Sequence, residues 1–362
     1  MKDSGMRERL RRIVSAAIRA PSAENCQPFT FRWNGQALLV RHDPERARHR
    51  LNLQNHLSLL GLGTLLESLA LAASTEGLRL EDSLGLDDLR TAVWATARFQ
   101  KGSGADRLAQ ALAVRQTDRR LYLGGSLQAP VFAELRREVE RFPECGLYVS
   151  PRPEGELLAF CLEAESFLWR DPAVYRDVMR WIRFSKEELQ RTGDGFAWRS
   201  LGPPLPSIPG VRLVRDERVR HTLYRTHLYR ASALWLRAQL ASSAGLICIT
   251  TRSPSPRALV AAGRLGLAVW LHLNLAGYGV QPLSLQSTPI HSLAIDPLLS
   301  ADFPPGLSDF YARGQGLLRR AFGFSSPELP VWLFRTGRAF QHPFSPGTPR
   351  LPVERVLEFA ED

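Results

Sequence analysis

The residues best suited to chemistry lie in one short turn near the N-terminus, residues 20–29, which read APSAENCQPF. The turn follows a helical pattern and precedes an apolar strand. Proline fixes φ and lacks an amide donor, whereas short polar side chains such as Ser22 and Asn25 satisfy backbone groups or a ligand. The turn can therefore present donors to a planar polar ring, although a lone Ala-Pro-Ser is also typical of an ordinary helix-to-strand turn.

A second polar segment, residues 115–122, reads RQTDRRLY. Arginine offers paired donors in a rigid fork and threonine adds a hydroxyl, so the segment predicts an anion cradle. Taken alone, it is more typical of a solvated arginine-rich loop. Two further segments stand out: residues 279–287, GVQPLSLQS, after a long apolar helix, and residues 349–356, PRLPVERV, in a proline-rich tail.

Together these four segments resemble the motifs of the nitroreductase-like FMN flavoproteins. The turn resembles the family's A-P-S-x-x-N-x-Q-P-W/F motif, and segment 115–122 resembles R-R-[ST]-x-R-x-[FY]. The tail resembles R-x-P-x-x-E-V, and segment 279–287 resembles G-L-x-x-x-P-[ILM]-x-G, with serine at Ser284 and Ser287 where the family has proline and glycine.

The resemblance implies a role for each motif. It assigns contacts with the flavin ring to Pro21, Ser22, Asn25 and Gln27. It assigns binding of the FMN phosphate to Arg115, Thr117, Arg119 and Arg350. The backbone amides that would face flavin N5 are those of Gln286 and Ser287. No protein acid or base is expected to be catalytic, because the flavin carries the chemistry.

The motifs divide between two complementary halves. The first half carries the turn without a phosphate motif, and the second carries the phosphate motif without a second such turn. The sequence also shows a weak internal repeat: a shift of 202 residues pairs Gly61 with Gly263 and Gly77 with Gly279. The resemblance therefore extends to the tandem, Acg-type subgroup, in which one chain forms a pseudo-dimer with one composite FMN site.

The predicted organisation is an α+β fold of two nitroreductase-like halves. Residues 1–104 form a degenerate half with the flavin turn, and residues 105–362 form a half with the phosphate motif and a C-terminal arm. Residues 191–216 form a long Gly- and Pro-rich loop, and loops of this length are usually functional or disordered. In the subgroup such a loop can act as a lid over the flavin.

Periodicity and turn residues predict the elements. Asn34-Gly35 predicts a hairpin, and Gly77 and Gly279 are expected to end the two long apolar helices. Helices are predicted over residues 6–20, 55–76, 130–142, 157–181 and 256–278, and strands over 29–33, 36–41, 89–98, 146–150, 246–250 and 331–334. The close glycines Gly61 and Gly63 are expected to serve helix packing.

Composition limits the function classes. The formal net charge of +11 comes almost entirely from dispersed arginines, and no zinc-finger, RNP or basic-zipper pattern is present, so no nucleic-acid partner is expected. Residues 258–280 contain Arg264, His272 and Asn274, which favours a buried helix over a membrane span. The four cysteines are widely spaced, no histidine pair has metal-ligand spacing, and no secretory signal is recognised, so we expect a cytoplasmic protein without metal or membrane partner.

The function implied by the resemblance is that of an FMN-dependent oxidoreductase. It would take electrons from NAD(P)H and pass a hydride through N5 to a nitroaromatic, quinone or similar small acceptor, as a monomer or a homodimer. Two alternatives stay open: a protein that binds and sequesters FMN with little turnover, because a lid would exclude NAD(P)H, and a flavin oxidase acting on a peptide or small metabolite.

Overall fold

The computed structural model describes residues 2–202, 212–338 and 348–360. In the first part of the chain the elements are α1 (Lys2–Ala17), β1 (Phe29–Trp33), β2 (Leu38–His42), α2 (His56–Thr75), β3 (Leu78–Leu84), β4 (Val93–Lys101) and α3 (Ala109–Leu112). They are followed by α4 (Ala129–Val139), β5 (Cys145–Ser150), α5 (Gly155–Ala164), α6 (Phe167–Arg170), α7 (Pro172–Met179), β6 (Ile182–Arg183), α8 (Lys186–Thr192) and β7 (Phe196–Ala197).

The second part continues after a 3₁₀ turn at Trp198–Leu201. Its elements are α9 (Glu217–Arg225), α10 (Arg230–Ala241), β8 (Gly245–Thr251), α11 (Pro256–Leu275), β9 (Tyr278–Pro282), α12 (Ser284–Ile295), α13 (Leu307–Phe322), β10 (Leu329–Arg338), α14 (Val353–Val356) and β11 (Leu357–Phe359).

Two antiparallel sheets have the same topology. The first contains β1-β2-β4-β3 and the second β5-β8-β10-β9, so in each the third and fourth strands in chain order exchange places. In each sheet a long helix, α2 or α11, connects the second strand to the third. The C-terminal β11 adds to the first sheet in parallel with β1, with Phe31 opposite Leu357. The end of the chain is thereby tied to its beginning.

The two long helices cross at a pair of glycines. A Cβ on Gly63 of α2 would lie 2.0 Å from the Val260 carbonyl oxygen, and one on Gly263 of α11 would lie 2.1 Å from the Leu60 carbonyl oxygen. These distances are too short for any side chain, so the helix backbones are in direct contact. The expected packing role of Gly63 is confirmed.

The two helices are related by a shift of 200 residues, not the predicted 202. Helix α11 ends at Leu275, and Gly277 adopts φ +78 after it, just as Gly77 adopts φ +67 after α2. Glycine tolerates this left-handed backbone. Gly279, predicted to end the helix, instead lies within β9. The leucine matches at 202 were coincidental, because leucine-rich helices match at many shifts.

Most predicted elements exist, with shifted ends. The hairpin of Phe29–Trp33 with Leu38–His42 is confirmed, and Gly35 has φ +89 in its turn. Strand β3 was not predicted, and β4 begins at Val93 rather than 89. Strand β9 follows the second long helix without having been predicted, and the chain then turns into α12 at Ser284. In β3 Arg79 and Glu81 face solvent while Asp82 is half-buried, and these charged residues weakened the apolar signal of the strand.

The second half differs from the first by a large insertion. In the first sheet β1 and β2 are joined by a tight turn, whereas in the second the chain between β5 and β8 forms helices α5 to α10. Of the predicted loop 191–216, residues 203–211 lie outside the described residues. The part that is described includes β7, which pairs in parallel with β6.

Both long helices are core elements. They are long and apolar enough to span a membrane, but 83% of the most apolar window of α2 and 78% of that of α11 is buried inside the protein. The four cysteines are buried and unpaired.

Replacing Gly63 by alanine tests the helix crossing. The new methyl group would overlap the Val260 carbonyl, so we expect Gly63→Ala to lower the free energy of unfolding by about 1–3 kcal/mol. Gly61→Ala is the matched control on the same helix: its Cβ would lie 3.6 Å from the Phe29 ring, an ordinary contact. That control is expected to keep or raise stability, by up to about 1 kcal/mol, because alanine favours helices. Equal stability of the two variants in thermal unfolding would refute the crossing.

Candidate functional site

A cleft forms where the ends of the chain meet its middle. It is bounded by the turn after α1, the segment after α3, the loop after β6 and the C-terminal arm. Its lining residues are Pro21, Ser22, Glu24, Asn25, Arg115, Gln116, Thr117, Asp118, Arg119, Arg120, Phe196, Arg199, Ser200, Gly202, Thr348 and Arg350. Three of the four sequence motifs are thus brought together.

Two arginines of the cleft are held by the end of α1. Arg350 donates from Nε to the Ile18 carbonyl at 2.7 Å and from a terminal nitrogen to the Arg19 carbonyl at 2.9 Å. Arg115 donates to the same Arg19 carbonyl at 3.1 Å. The carbonyls at a helix C-terminus lack intrahelical partners and carry partial negative charge, so they fix both guanidiniums in place.

The same arginines have no carboxylate partner. Among the described residues no carboxylate oxygen lies within 4.0 Å of Arg115, Arg119 or Arg350. Arg115 is only 6% exposed, its guanidinium lies 4.7 Å from the Trp270 ring centroid, and its Nε has no hydrogen-bond partner in the described part of the chain. A buried charge without a counter-charge is unfavourable, so this end of the cleft is suited to an anion.

The electrostatics agree with this geometry. Burial, together with the nearby positive charges of Arg350 and Arg19, lowers the pKa of Arg115 to about 9. Burial and Arg19 lower the pKa of Arg350 to about 10. The guanidiniums stay protonated at neutral pH, and an anion among them would relieve their mutual repulsion.

Arg119 points toward another part of the cleft. It donates to the Ser200 carbonyl at 3.1 Å, and its guanidinium lies 5.4 Å from the Phe196 ring centroid. Burial lowers its pKa to about 10, aided by Arg335 and opposed by Glu24 and Glu165. Asp118 differs, because its carboxylate is paired with Arg120 at 2.6 Å and its amide donates to Val280 of β9. This backbone bond fixes the segment against the second sheet.

The turn after α1 is strained and held from several sides. Glu24, Asn25 and Gln27 adopt φ of +46, +56 and +50, a region that residues other than glycine rarely occupy. Ser22 Oγ accepts from the Gln27 amide at 3.0 Å, and Thr64 of α2 donates to the Pro21 carbonyl at 2.9 Å. Such backbone persists only where its surroundings over-determine it, and it is found most often at functional sites.

The side chains of this turn clamp two other segments. Asn25 donates to the carbonyls of Gly195 at 2.7 Å and Pro349 at 3.0 Å. Gln27 donates to the Gly193 carbonyl at 3.0 Å and accepts from the Leu351 amide at 2.9 Å. Gln27 does not line the cleft, so the structure gives it a supporting contact rather than a place on the cleft surface. Asn25 lines the cleft, and its Oδ1 is buried without a partner among the described residues.

An ion-pair network pins the loop onto the turn. Asp194 contacts Arg46 at 2.9 Å and Arg183 at 2.5 Å, and Arg46 also donates to the Cys26 carbonyl at 2.8 Å. Burial raises the pKa of Asp194, but the hydrogen bonds and charges of these arginines outweigh it and leave the pKa below its ordinary value. Asp194 therefore stays ionised at neutral pH and joins the insertion to the first half.

Gln286 and Ser287 do not line the cleft. Both lie in the first turns of α12, with their side chains buried, and Gln286 donates to the Cys161 carbonyl at 2.9 Å. Glu165, which also does not line the cleft, lies near both Gln286 and Arg119. Burial raises the pKa of Glu165, while a hydrogen bond from Gln286 and the charge of Arg119 oppose that shift.

Sequence reasoning missed several residues of this site. Arg19 contributes its backbone carbonyl, which accepts from Arg115 and Arg350, rather than its side chain. No sequence pattern indicates such a backbone contact. Arg46 and Asp194 are 148 residues apart, so their pairing has no local signal. The covering residues Phe196, Arg199 and Ser200 fall in the predicted loop 191–216, for which the resemblance implies a lid that includes Phe196, but no sequence pattern indicates the contacts that they make.

Comparison with known proteins was made on sequence and on structure. No family model matches the chain. The chain is 24% identical over 371 residues to PigM of Serratia sp., which is described as a probable NAD(P)H nitroreductase, and the match covers 96% of this chain and 98% of the relative. This full-length similarity supports the nitroreductase-like family.

Solved structures that align with the chain are also named as nitroreductases or nitroreductase-like, at lower sequence identity. A nitroreductase-like family protein from Bacillus cereus aligns at 13% identity and a TM-score of 0.35, covering 72% of this chain and 99% of that one. The FMN-dependent nitroreductase NfnB from Mycobacterium smegmatis, solved with NADPH, aligns at 12% identity and a TM-score of 0.36, covering 70% and 100%. Because both TM-scores are low, our description of the fold depends on the strand order of this chain and not on these alignments.

Removing the charge of Asp194 tests the pinned loop. Asp194→Asn leaves Arg46 and Arg183 partly buried without their counter-charge, and we expect a loss of about 2–3 kcal/mol of stability. Trypsin should then cleave faster after the exposed Arg191 and Arg199. Asp88→Asn is the control, because Asp88 pairs with Arg90 on an exposed loop. An unchanged rate of cleavage in Asp194→Asn would show that the network does not hold the loop.

Proposed function

We propose that this protein is an FMN-dependent oxidoreductase of the nitroreductase type, acting on a nitroaromatic, quinone or similar small acceptor. The observation that carries the proposal is the group of buried and half-buried arginines at one end of the cleft, Arg115, Arg119 and Arg350, which have no carboxylate partner among the described residues. An anionic group with several oxygens satisfies those donors, and the phosphate of FMN is such a group. The similarity to PigM, a probable NAD(P)H nitroreductase, favours NAD(P)H as donor.

The phosphate end of the cleft fits FMN well. Arg115 and Arg350 are fixed by the α1 carbonyls yet keep guanidinium surface on the cleft, and Thr117 lies between Arg115 and Arg119 in the lining. Arginines that are fixed before binding lose little side-chain entropy when they hold a phosphate. We assign Arg115, Thr117, Arg119 and Arg350 to this task.

The ring end fits in part. Ser22 and Asn25 line the cleft, and the unpartnered Oδ1 of Asn25 is available as an acceptor for a ring N–H. Pro21 is held by Thr64 and forms the wall beside them. For Gln286 and Ser287 the proposal keeps only their backbone amides, since their side chains are buried elsewhere. FMN, when bound, supplies the transfer of electrons between donor and acceptor.

The protein's own contribution is to bind, orient and exclude water. Phe196 and Trp198 are buried in the loop that Asp194 pins over the turn. An apolar cover above a polar cleft strengthens the electrostatic contacts beneath it. No side chain in the cleft is assigned as an acid or base.

We further propose that the chain is a pseudo-dimer with one composite site, as in the Acg-type subgroup. The shared strand order of the two sheets and the glycine crossing between α2 and α11 support it. The proposed halves are residues 1–104 and 105–362, because β4 ends at Lys101 and the phosphate segment follows. At the shift of 200 residues, Arg264 is the counterpart of Thr64, which holds the flavin turn. Arg264 is ion-paired with Asp82 at 2.5 Å, and the neighbouring Glu67 with Arg141 at 2.7 Å. Charged groups that are already paired offer no phosphate cradle.

A second candidate function is binding of FMN with little turnover. The pinned loop favours it, because a loop held by Asn25, Gln27 and Asp194 would restrict the access of a nicotinamide donor.

The absorbance spectrum of the purified protein, followed by anaerobic NADPH and then NADH, separates the two candidates. We expect a flavin band corresponding to one FMN per chain, bleached by at least one nucleotide within seconds. A band that bleaches only with dithionite would favour binding without turnover. If no flavin is retained after FMN is supplied in excess and removed by desalting, both candidates are wrong.

A further inference from the structure

We propose that the outer face of helices α9 and α10 binds the surface of an anionic lipid bilayer. The face consists of the exposed residues Arg218, Arg225, Leu228, Arg230, Leu234 and Arg237. We call it the Arg/Leu face. It belongs to the insertion between β5 and β8 and does not depend on the function proposed for the cleft.

The Arg/Leu face lies in a stretch of one charge sign. Residues 218–295 contain eight arginines and no aspartate or glutamate. Asp216 accepts from the Arg218 amide at 2.8 Å as the cap of α9, and the preceding Glu217 is paired with Arg176. Among the described residues, however, no carboxylate oxygen lies within 4.0 Å of the guanidiniums of the four arginines of this face, Arg218, Arg225, Arg230 and Arg237. The positive charge of this face is therefore not neutralised by the protein. The arginines are not mixed with acids here as they are elsewhere in the chain.

Apolar side chains project between these arginines. On α10, Arg230, Leu234 and Arg237 follow one another at helical spacing, while Leu236, Gln239 and Leu240 face the interior. Leu234 is 69% exposed, and Leu228, in the connection between the two helices, is 61% exposed. Leucines so exposed are costly in water and gain from any apolar layer that covers them.

A bilayer surface satisfies both features at once. Anionic headgroups pair with the arginines, and the adjacent acyl boundary takes up the leucines. Nucleic acid would pair with the arginines but would leave the leucines in water. A second copy of the chain would bring two positive faces together. The bilayer is therefore the occupant that the charge and the exposed leucines favour.

The attachment would be peripheral. Within the described part of the chain, the two helices that are long and apolar enough to span a membrane are α2 and α11, and both are mostly buried. The inner side of α10 supports the cleft: Gln239 donates to the Arg119 carbonyl and accepts from Arg335 at 3.1 Å. The sequence alone led us to expect no membrane partner, and this face replaces that expectation.

Co-sedimentation with vesicles tests the proposal. We expect the full chain to bind vesicles of phosphatidylcholine with about one-third phosphatidylglycerol at least tenfold (about 10×) more strongly than phosphatidylcholine alone. Binding should weaken in about 0.5 M salt, since exposed charges are screened. No binding to the anionic vesicles, or equal binding to both kinds in low and high salt, would overturn the proposal.

Two sets of substitutions locate the binding face. The triple variant Arg225→Gln, Arg230→Gln, Arg237→Gln and the double variant Leu228→Ser, Leu234→Ser should each lose about tenfold in vesicle affinity. The matched controls are Arg32→Gln with Arg98→Gln and Arg137→Gln, which removes three exposed arginines elsewhere, and Leu298→Ser, at a leucine that is 83% exposed. The controls should bind like the parent, and all variants should keep its melting temperature.

Three results would contradict the Arg/Leu face. An equal loss in the control arginine variant would assign binding to the net charge of +11 rather than to this face. Conversion of a dimer to a monomer by the leucine variant, measured by light scattering, would assign the face to a second copy. Binding of duplex DNA that is lost in the arginine variant, with vesicle binding unchanged, would assign it to nucleic acid.

Discussion

The contact on which the rest of the structure depends is the crossing of α2 and α11 at Gly63 and Gly263. Because neither residue has a side chain, the two backbones touch and the two sheets are held at a fixed separation. Both walls of the cleft are attached near this crossing. Thr64, next to Gly63, holds the Pro21 carbonyl, and Trp270 of α11 lies beneath the Arg115 guanidinium. A shift of the helices would separate the turn from the phosphate segment.

The cleft is organised around positive charge that the described residues leave uncompensated. Arg115 and Arg350 are turned by the α1 carbonyls toward each other, although their like charges repel. A fold selected for stability alone would place a carboxylate among them, as it does for Arg183 and Arg46 beside Asp194. Arg46 and Arg183 thus have a carboxylate partner, whereas Arg115 and Arg350 have none among the described residues. This difference is the strongest structural indication that Arg115 and Arg350 bind an anionic ligand.

How much the sequence could predict depends on how local each signal is. The hairpin at Asn34-Gly35, the two long helices and the three motifs at Ser22, Arg115 and Arg350 were readable because their turn residues or repeated side chains are adjacent. The glycine that ends α11 was misplaced by two residues, since Gly277 and Gly279 both look like helix ends and only the backbone φ distinguishes them. The hydrogen bonds of Gln27 and the ion pairs of Asp194 join residues far apart in sequence. No periodic pattern in the sequence indicates such contacts.

The central claim is that the unpaired arginines hold a phosphate, and the affinity for FMN compared with that for riboflavin tests it most directly. The two ligands share the ring and differ in the phosphate. We expect FMN to bind at least about 100-fold more tightly, from two or more charge-assisted hydrogen bonds. In Arg115→Met, which keeps the volume but not the charge, the difference should shrink by about tenfold or more. Equal affinities for FMN and riboflavin in the parent protein would contradict the account.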